Sequence, residues 1–122
     1  MTQGAGGPGA AQDGVDQGAD EAVLAALADP TRRRVLDLLG SRGEASASAL
    51  ADHLPVSRQA IVKHLATLER AGLVEGRRSG REVRYAVRPD RLGRTARWMA
   101  DLAAEWDNRL GAIKRIAESE PD

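Results

Sequence analysis

Residues 48–71, SALADHLPVSRQAIVKHLATLERA, decide the fold, because they hold two short helical patterns separated by a tight connection. Ser48 is the predicted N-cap of the first helix, which ends near Leu54. Pro55 forces the residue before it out of helical geometry, so the chain must turn there before it enters a second helix. The spacing therefore predicts a helix–turn–helix unit.

The second helix of this unit is predicted over residues 57–71, with Ser57 as its N-cap and Gly72 as its C-terminal stop. Its buried side is formed by apolar residues at helical spacing: Ile61, Leu65 and Leu68. The opposite side is polar, and its first half carries groups suited to DNA. Gln59 can bond an adenine edge with two hydrogen bonds, and Lys63 can meet a guanine or a phosphate.

Other residues of this helix suit the DNA backbone. Ser57 and the N–H groups of the first turn favour a phosphate. Arg58 and His64 flank the buried side, where their side chains reach the backbone. Ser48 and Ser57 lack the His–acid partnership of a hydrolase, and no glycine-rich phosphate loop is present, so we predict no catalytic residue and no enzyme.

A basic hairpin follows, predicted over residues 73–87, with two alternating segments around Ser79-Gly80-Arg81. Four arginines cluster in it, and we expect them to contact the DNA backbone or minor groove, with solubility as the alternative role: Arg77, Arg78, Arg81 and Arg84. A helix–turn–helix followed by a basic hairpin is the winged helix-turn-helix arrangement. The fold class is thus mainly α with a small β-hairpin wing.

Two helices precede this unit. The first is predicted from Asp20, as its cap, to Ala28, and the second from the Asp29-Pro30 pair to about Leu39, with Gly40 as its stop. The second helix opens with three arginines for which phosphate contact and a solvated face remain equal alternatives: Arg32, Arg33 and Arg34.

A long last helix is predicted over residues 90–118. Its apolar residues recur at near-heptad spacing, at Leu92, Met99, Leu102, Trp106, Leu110 and Ile113. A domain of this size cannot cover the apolar stripe by itself. The helix is therefore predicted to extend beyond its own domain. Trp106 fits either dimer packing or the wall of an effector pocket.

Length and composition set the remaining boundaries. The 122 residues predict one domain unit, with a disordered tail over 1–19, a DNA-binding domain over 20–89 and a disordered end over 119–122. The absence of cysteine excludes disulfides and thiolate metal sites, and the two histidines lack partners, so no metal or cofactor is expected. With no signal peptide and no apolar run long enough for a membrane, the protein is expected in the cytoplasm.

Charge is segregated along the chain although the net charge is zero. Residues 1–30 carry five acidic and no basic residues, whereas residues 31–94 carry 14 basic and 7 acidic residues. The predicted helix–turn–helix and hairpin lie in the basic segment, which therefore has the electrostatic character of a polyanion-binding surface.

Residues 22–88 resemble the ArsR/SmtB family of bacterial winged-helix repressors. The resemblance is carried by residues 26–39, 56–65, 68–74 and 80–85, in the family's order and spacing. It implies a homodimer formed by the first and last helices, which adds Leu24 and Leu27 to the interface, and a pseudo-palindromic operator in double-stranded DNA. It also implies DNA contacts from six positions: Ser57, Arg58, Gln59, Val62, Lys63 and His64.

The chain departs from the family at several points. Arg58 stands where many relatives have glutamine, and Val62 where they have serine or threonine, so base preference cannot be inherited. The cysteine motif of the third helix and the histidine site of the last helix are missing. The sequence thus predicts a sequence-specific dimeric repressor whose effector is unknown. A metal- or small-molecule-responsive sensor of the same fold and a winged-helix protein-interaction module remain the alternatives.

Overall fold

The computed structural model describes residues 18–119 and has the predicted architecture, a helical body with a small antiparallel sheet and a long last helix. The predicted disorder of residues 1–17 and 120–122 falls outside the described residues. The elements, in chain order, are α1 (18–27), α2 (Pro30–Arg42), β1 (Ala45–Ser46), α3 (Ala47–Ala51), α4 (Arg58–Arg70), β2 (Val74–Ser79), β3 (Glu82–Val87) and α5 (Pro89–Ser119).

Hydrogen bonds between Asp29 and the start of α2, and between two α2 arginines and the end of α1, stabilise the junction of these helices. Asp29 caps α2 as predicted, accepting from the amides of Thr31 at 2.8 Å and Arg32 at 3.2 Å. The Arg32 amide, above all, holds the pKa of Asp29 below its usual value of 3.8. The capping carboxylate therefore stays ionised at neutral pH, where it satisfies two of the N–H groups that α2 cannot bond internally.

Two of the three arginines at the start of α2 bond to α1. Arg32 Nε donates to the carbonyl oxygen of Ala26 at 2.7 Å, and the Arg33 guanidinium donates to that of Leu27. These carbonyls lie at the C-terminal end of α1, where no intrahelical donor remains for them. Arg32 and Arg33 therefore fix the angle between the helices, a role that neither sequence alternative included.

The helix boundaries differ from the predicted ones in three places. α1 already includes residues 18 and 19, so Asp20 is inside the helix instead of capping it, and its carboxylate is buried. α2 passes through Gly40 and ends at Gly43, which has a φ of 83° and an N–H that bonds Leu39 O. At the last boundary, α5 extends to Ser119, one residue past the predicted end.

The predicted cap of α3 is also wrong. Ser46 is the N-cap, with its hydroxyl accepting from the Ala49 amide at 3.1 Å, and α3 ends at Ala51 instead of near Leu54. Ser46 also belongs to β1, a two-residue strand that the sequence did not reveal. β1 pairs with β3, so the sheet has three strands in the order β1-β3-β2.

The core lies between α1–α4 and the base of the sheet. Its fully buried large side chains are aliphatic, as expected for a chain without phenylalanine: Val23, Val35, Leu39, Leu50, Ile61, Leu65, Leu68, Leu73 and Val74. α5 contributes only Thr95 to the buried set, although it is 31 residues long. Within residues 18–119 no helix has the length and apolarity needed to cross a bilayer.

Gly76 in β2 is required by the packing of the hairpin. A Cβ at this position would lie 3.0 Å from Tyr85 Cε2 and 3.1 Å from Val83 Cγ1, both across the strand pair. Such crowding displaces side chains that also cover the core.

We therefore expect Gly76→Ala to lower the free energy of unfolding by about 1–3 kcal/mol in urea titrations, the usual cost of overpacking. Gly93→Ala is the matched control, because a Cβ there meets only a distant Arg97 nitrogen at 3.9 Å and alanine favours the helix. Equal stability of the two variants would show that the hairpin tolerates the added methyl group.

Candidate nucleic-acid interface

α4 is oriented by its cap and by its buried side. The hydroxyl of Ser57 accepts from the Ala60 amide at 3.1 Å, as predicted for the N-cap. Ile61, Leu65 and Leu68 are fully buried. Because residues advance by about 100° along a helix, burial of these three fixes which side chains of α4 face outward.

The first two turns of α4 present most of the predicted DNA-contacting side chains to solvent. Ser57, Arg58, Gln59 and Lys63 are exposed, and Val62 is 38% exposed. They lie side by side on one surface, which is the N-terminal half of a helix preceded by a tight turn. A helix enters a major groove with this end when it reads bases.

His64 differs from its neighbours because it is only partly exposed. Its charge lowers the pKa of Asp29, behind the larger effects of the hydrogen bonds at the α2 cap. The imidazole is therefore coupled electrostatically to the α1–α2 junction, at the margin of the outward surface.

Arg58 connects the two helices of the helix–turn–helix unit. Its Nε donates to the hydroxyl of Ser48 on α3 at 2.9 Å. Its two terminal nitrogens have no protein acceptor among residues 18–119, which leaves them available to a phosphate oxygen. Sequence reasoning assigned Ser48 to the cap of α3 and missed this bond, for which ten residues of separation give no local signal.

The wing is a hairpin with a two-residue turn at Gly80 and Arg81. Gly80 has a φ of 65°, and the last paired residues are Ser79 and Glu82. A positive φ at the first turn position needs glycine and matches the right-handed twist of the strands. This turn lies at the end of the hairpin opposite the one where β3 leads into α5.

Three of the wing arginines are exposed and have no carboxylate partner among the described residues: Arg77, Arg78 and Arg81. Arg84 differs, since it lies 3.7 Å from both Glu44 and Glu82. Arg84 is directly opposite Arg77 in the strand pairing. Like charges directly opposite each other are destabilising, and the two glutamates beside Arg84 offset that repulsion.

The predicted interface residues of α1 and α5 divide into two groups. Leu27 is partly buried and packs against the chain's own core. The others are large apolar side chains at least 36% exposed: Leu24, Leu92, Met99, Leu102, Trp106, Leu110 and Ile113. Ile116, which is 68% exposed, extends the same stripe by one further turn. Its spacing of three from Ile113 was the signal that sequence reasoning overlooked.

No metal site is evident in the part of the chain that the structure describes. Residues 18–119 contain no group of three or more histidine, cysteine, aspartate or glutamate side chains arranged to hold an ion. Asp101 and Glu105, one turn apart on α5, do not form such a group.

Known proteins resemble this chain in both sequence and fold. A family model described as a helix-turn-helix domain matches residues 27–77. The transcriptional repressor SdpR of Bacillus subtilis is 34% identical over 88 residues, covering 72% of this chain and 97% of the relative. The HTH-type transcriptional regulator CmtR of Mycobacterium bovis is 44% identical over 94 residues, covering 77% of this chain and 79% of the relative.

Among solved structures, an ArsR-like transcriptional regulator from Rhodococcus sp. RHA1 superposes with a TM-score of 0.77 at 52% identity, covering 85% of this chain and 97% of that one. An ArsR family transcriptional regulator, RHA00566, gives a TM-score of 0.66 at 32% identity over 75% of this chain and 93% of that one. In both structures the likeness covers more than nine tenths of the neighbour's own length.

Proposed function

Because the chain belongs to the ArsR family of helix-turn-helix transcriptional regulators, we propose that it binds operator DNA as a homodimer and represses the promoter it covers. It is a DNA-binding regulator and not an enzyme. The observation that carries the proposal is the exposure of the N-terminal half of α4 together with that of three wing arginines. A pseudo-palindromic operator follows from two copies of this surface related by a two-fold axis.

The residues have separate roles in this proposal. Gln59, Val62 and Lys63 contact base edges in the major groove. Phosphate contacts come from the margin of α4 and from the wing, at Ser57, Arg58, His64, Arg77, Arg78 and Arg81. Arg58 has two roles. Its hydrogen bond to Ser48 fixes the orientation of α3 relative to α4, and its terminal nitrogens bind a phosphate.

A second copy of the chain covers α5. At 1.5 Å per residue the helix is about 46 Å long, and its apolar stripe continues to Ile116. Leu92, Met99, Trp106 and Ile113 are spaced seven residues apart, a period at which paired helices meet repeatedly. Residues 90–118 thus form the dimerisation helix, residues 20–89 form the DNA-binding domain, and Leu24 of that domain extends the dimer surface.

Repression follows from occupancy in this proposal. A dimer on an operator within a promoter blocks the polymerase, and the relative SdpR is itself named a transcriptional repressor. A repressor of this kind acts in the cytoplasm, because the operator DNA is there.

Salt dependence tests the proposed phosphate contacts of the wing. Each phosphate contact contributes about 0.9 to the slope of log affinity against log salt. With two copies of Arg81 per dimer, we expect Arg81→Ala to flatten the slope by about two and to weaken all sequences alike. Arg97→Ala, an exposed arginine of α5, is the matched control. An unchanged slope in Arg81→Ala would remove the wing tip from the interface.

Base reading is tested by Gln59→Ala. Loss of a bidentate contact is expected to cost about 1–3 kcal/mol on the operator and little on random duplex DNA, measured by fluorescence anisotropy. Arg70→Ala, at the far end of α4, serves as the control for effects on the helix itself. An equal loss on both DNAs would mean that Gln59 contacts the backbone instead of a base.

A further inference from the structure

A cavity of about 210 Å³ lies where the hairpin leads into α5. It is lined by Gly72, Arg88, Asp90, Arg91 and Arg94. At about 30 Å³ for each water in the liquid, the volume corresponds to roughly seven waters, enough for a phosphate or a small dicarboxylate with some solvent. Arginine thus supplies three of five lining residues.

Arg91 is the most firmly held of these arginines. One terminal nitrogen donates to Asp20 Oδ1 at 2.8 Å, and the same oxygen accepts from Thr95 Oγ1 at 2.7 Å. The stem of Arg91 lies over Gly72, where an added Cβ would be 3.4 Å from Arg91 Cγ. The guanidinium is therefore positioned at the cavity by contacts on two sides.

The Nε of Arg91 is buried and has no hydrogen-bond acceptor among the described residues. A buried donor without an acceptor costs free energy, because it has lost its water partner and gained nothing in exchange. An oxygen acceptor bound beside Arg91 would supply the missing bond.

The cavity also has an excess of positive charge. Arg88 lies 3.7 Å from Asp90, a loose and half-exposed pair. Arg91 is balanced by Asp20 behind it. Arg94 has no carboxylate partner within residues 18–119. With Arg91 paired to Asp20 and Arg88 beside Asp90, the excess positive charge at the cavity is that of Arg94.

DNA is a poor candidate for the ligand of this positively charged cavity. The cavity is at the base of the wing, and β2 extends for six residues before the turn at Gly80, a distance of about 20 Å at 3.4 Å per residue. Gly72 also follows the C-terminal end of α4, whose opposite end carries the base-reading side chains. Arg94 itself is about 140° from Met99 around α5, so this side chain points away from the apolar stripe.

We propose that this cavity binds a small oxyanion, a metabolite carrying a phosphate or carboxylate group, through Arg88, Arg91 and Arg94. Guanidinium groups bond both kinds of oxyanion in pairs of parallel hydrogen bonds. Arg91 also forms the ion pair with Asp20 that joins α1 to α5. The bound anion would therefore contact the same guanidinium group that holds these two helices together. The site is separate from the DNA-reading surface and does not depend on it.

Isothermal titration of the full-length protein tests the proposal, with inorganic phosphate in one arm and malonate in the other, each at ionic strength matched with potassium chloride. We expect at least one of them to bind saturably, one per chain. Arg94→Gln should weaken that binding at least tenfold, and Arg97→Gln, an exposed arginine outside the cavity, should change it less than twofold.

The two arms identify the ligand class: a response to phosphate alone assigns a phosphorylated metabolite, and a response to malonate alone assigns a carboxylate. Arg88→Gln provides a second test, since Arg88 is half exposed and its loss leaves the core intact. Thermal unfolding of each variant verifies that it is folded. The proposal is overturned if neither anion binds, or if Arg97→Gln weakens binding as much as Arg94→Gln.

Discussion

Replacing Trp106 by aspartate is expected to convert the protein from a dimer to a monomer. Trp106 is 50% exposed in one chain and lies in the middle of the apolar stripe of α5, so a second chain would cover it. A carboxylate buried there without a partner costs several kcal/mol, which shifts the equilibrium toward the monomer. Sedimentation equilibrium should give half the mass of the parent protein.

Loss of the dimer should also remove tight operator binding. A single protomer presents one α4 and one wing, so its affinity falls toward that for unrelated DNA, roughly a thousandfold weaker than for an operator. Asn108→Asp is the matched control, because it adds the same charge on the opposite side of the same helix. If Trp106→Asp still sediments as a dimer, α5 is not the interface.

The second large effect is expected from Asp20→Ala. Asp20 is 2% exposed and accepts two hydrogen bonds from α5, from Arg91 and from Thr95. Removing it leaves a largely buried guanidinium without its counter-charge, which in other proteins costs about 3–5 kcal/mol. We expect a loss near the lower end, about 3 kcal/mol, because Arg91 is 16% exposed and retains some contact with water.

Urea unfolding of Asp20→Ala beside Glu21→Ala measures this effect. Glu21 is the next residue of α1 and is exposed, so its removal should change the free energy of unfolding by about 0.5 kcal/mol or less. If the two variants are equally stable, the link between α1 and α5 does not contribute to the fold.

The parts of the fold that sequence predicts well are those encoded by neighbouring residues. Asp29 and Ser57 cap their helices as expected, because the capping bond joins residues two or three positions apart. The hairpin was evident from the alternation around Gly80. Burial of α4 followed from the spacing of its apolar residues, and the exposure of Gln59 and Lys63 followed from that burial.

The parts that sequence missed depend on residues far apart in the chain. The local pattern around Asp20 predicts a helix cap. Its actual partners, Arg91 and Thr95, are more than 70 residues away on α5 and leave no local signal. The strand β1 has two residues, too few to show alternation, and exists only because β3 lies beside it. Gly40 was predicted to end α2, but a helix tolerates an internal glycine at about 1 kcal/mol when packing favours its continuation.

For the candidate site, the fold adds contacts that the sequence does not encode locally. Arg77, Arg78 and Arg81 are exposed, and their contact with DNA stays a prediction. Nothing in the sequence separated them from Arg84, whose pairing with Glu44 requires β1 to bring that glutamate alongside. Arg84 thus differs from the other wing arginines in a way that only the fold shows.

The most direct test of the account is a hydroxyl-radical footprint of the full-length protein on a duplex selected from a random pool. Two copies of α4 facing one side of the duplex predict two protected regions in successive major grooves, about 10–10.5 base pairs from centre to centre, with two-fold sequence symmetry between them. A single protected region, or a pool that yields no preferred sequence at low salt, would contradict the account.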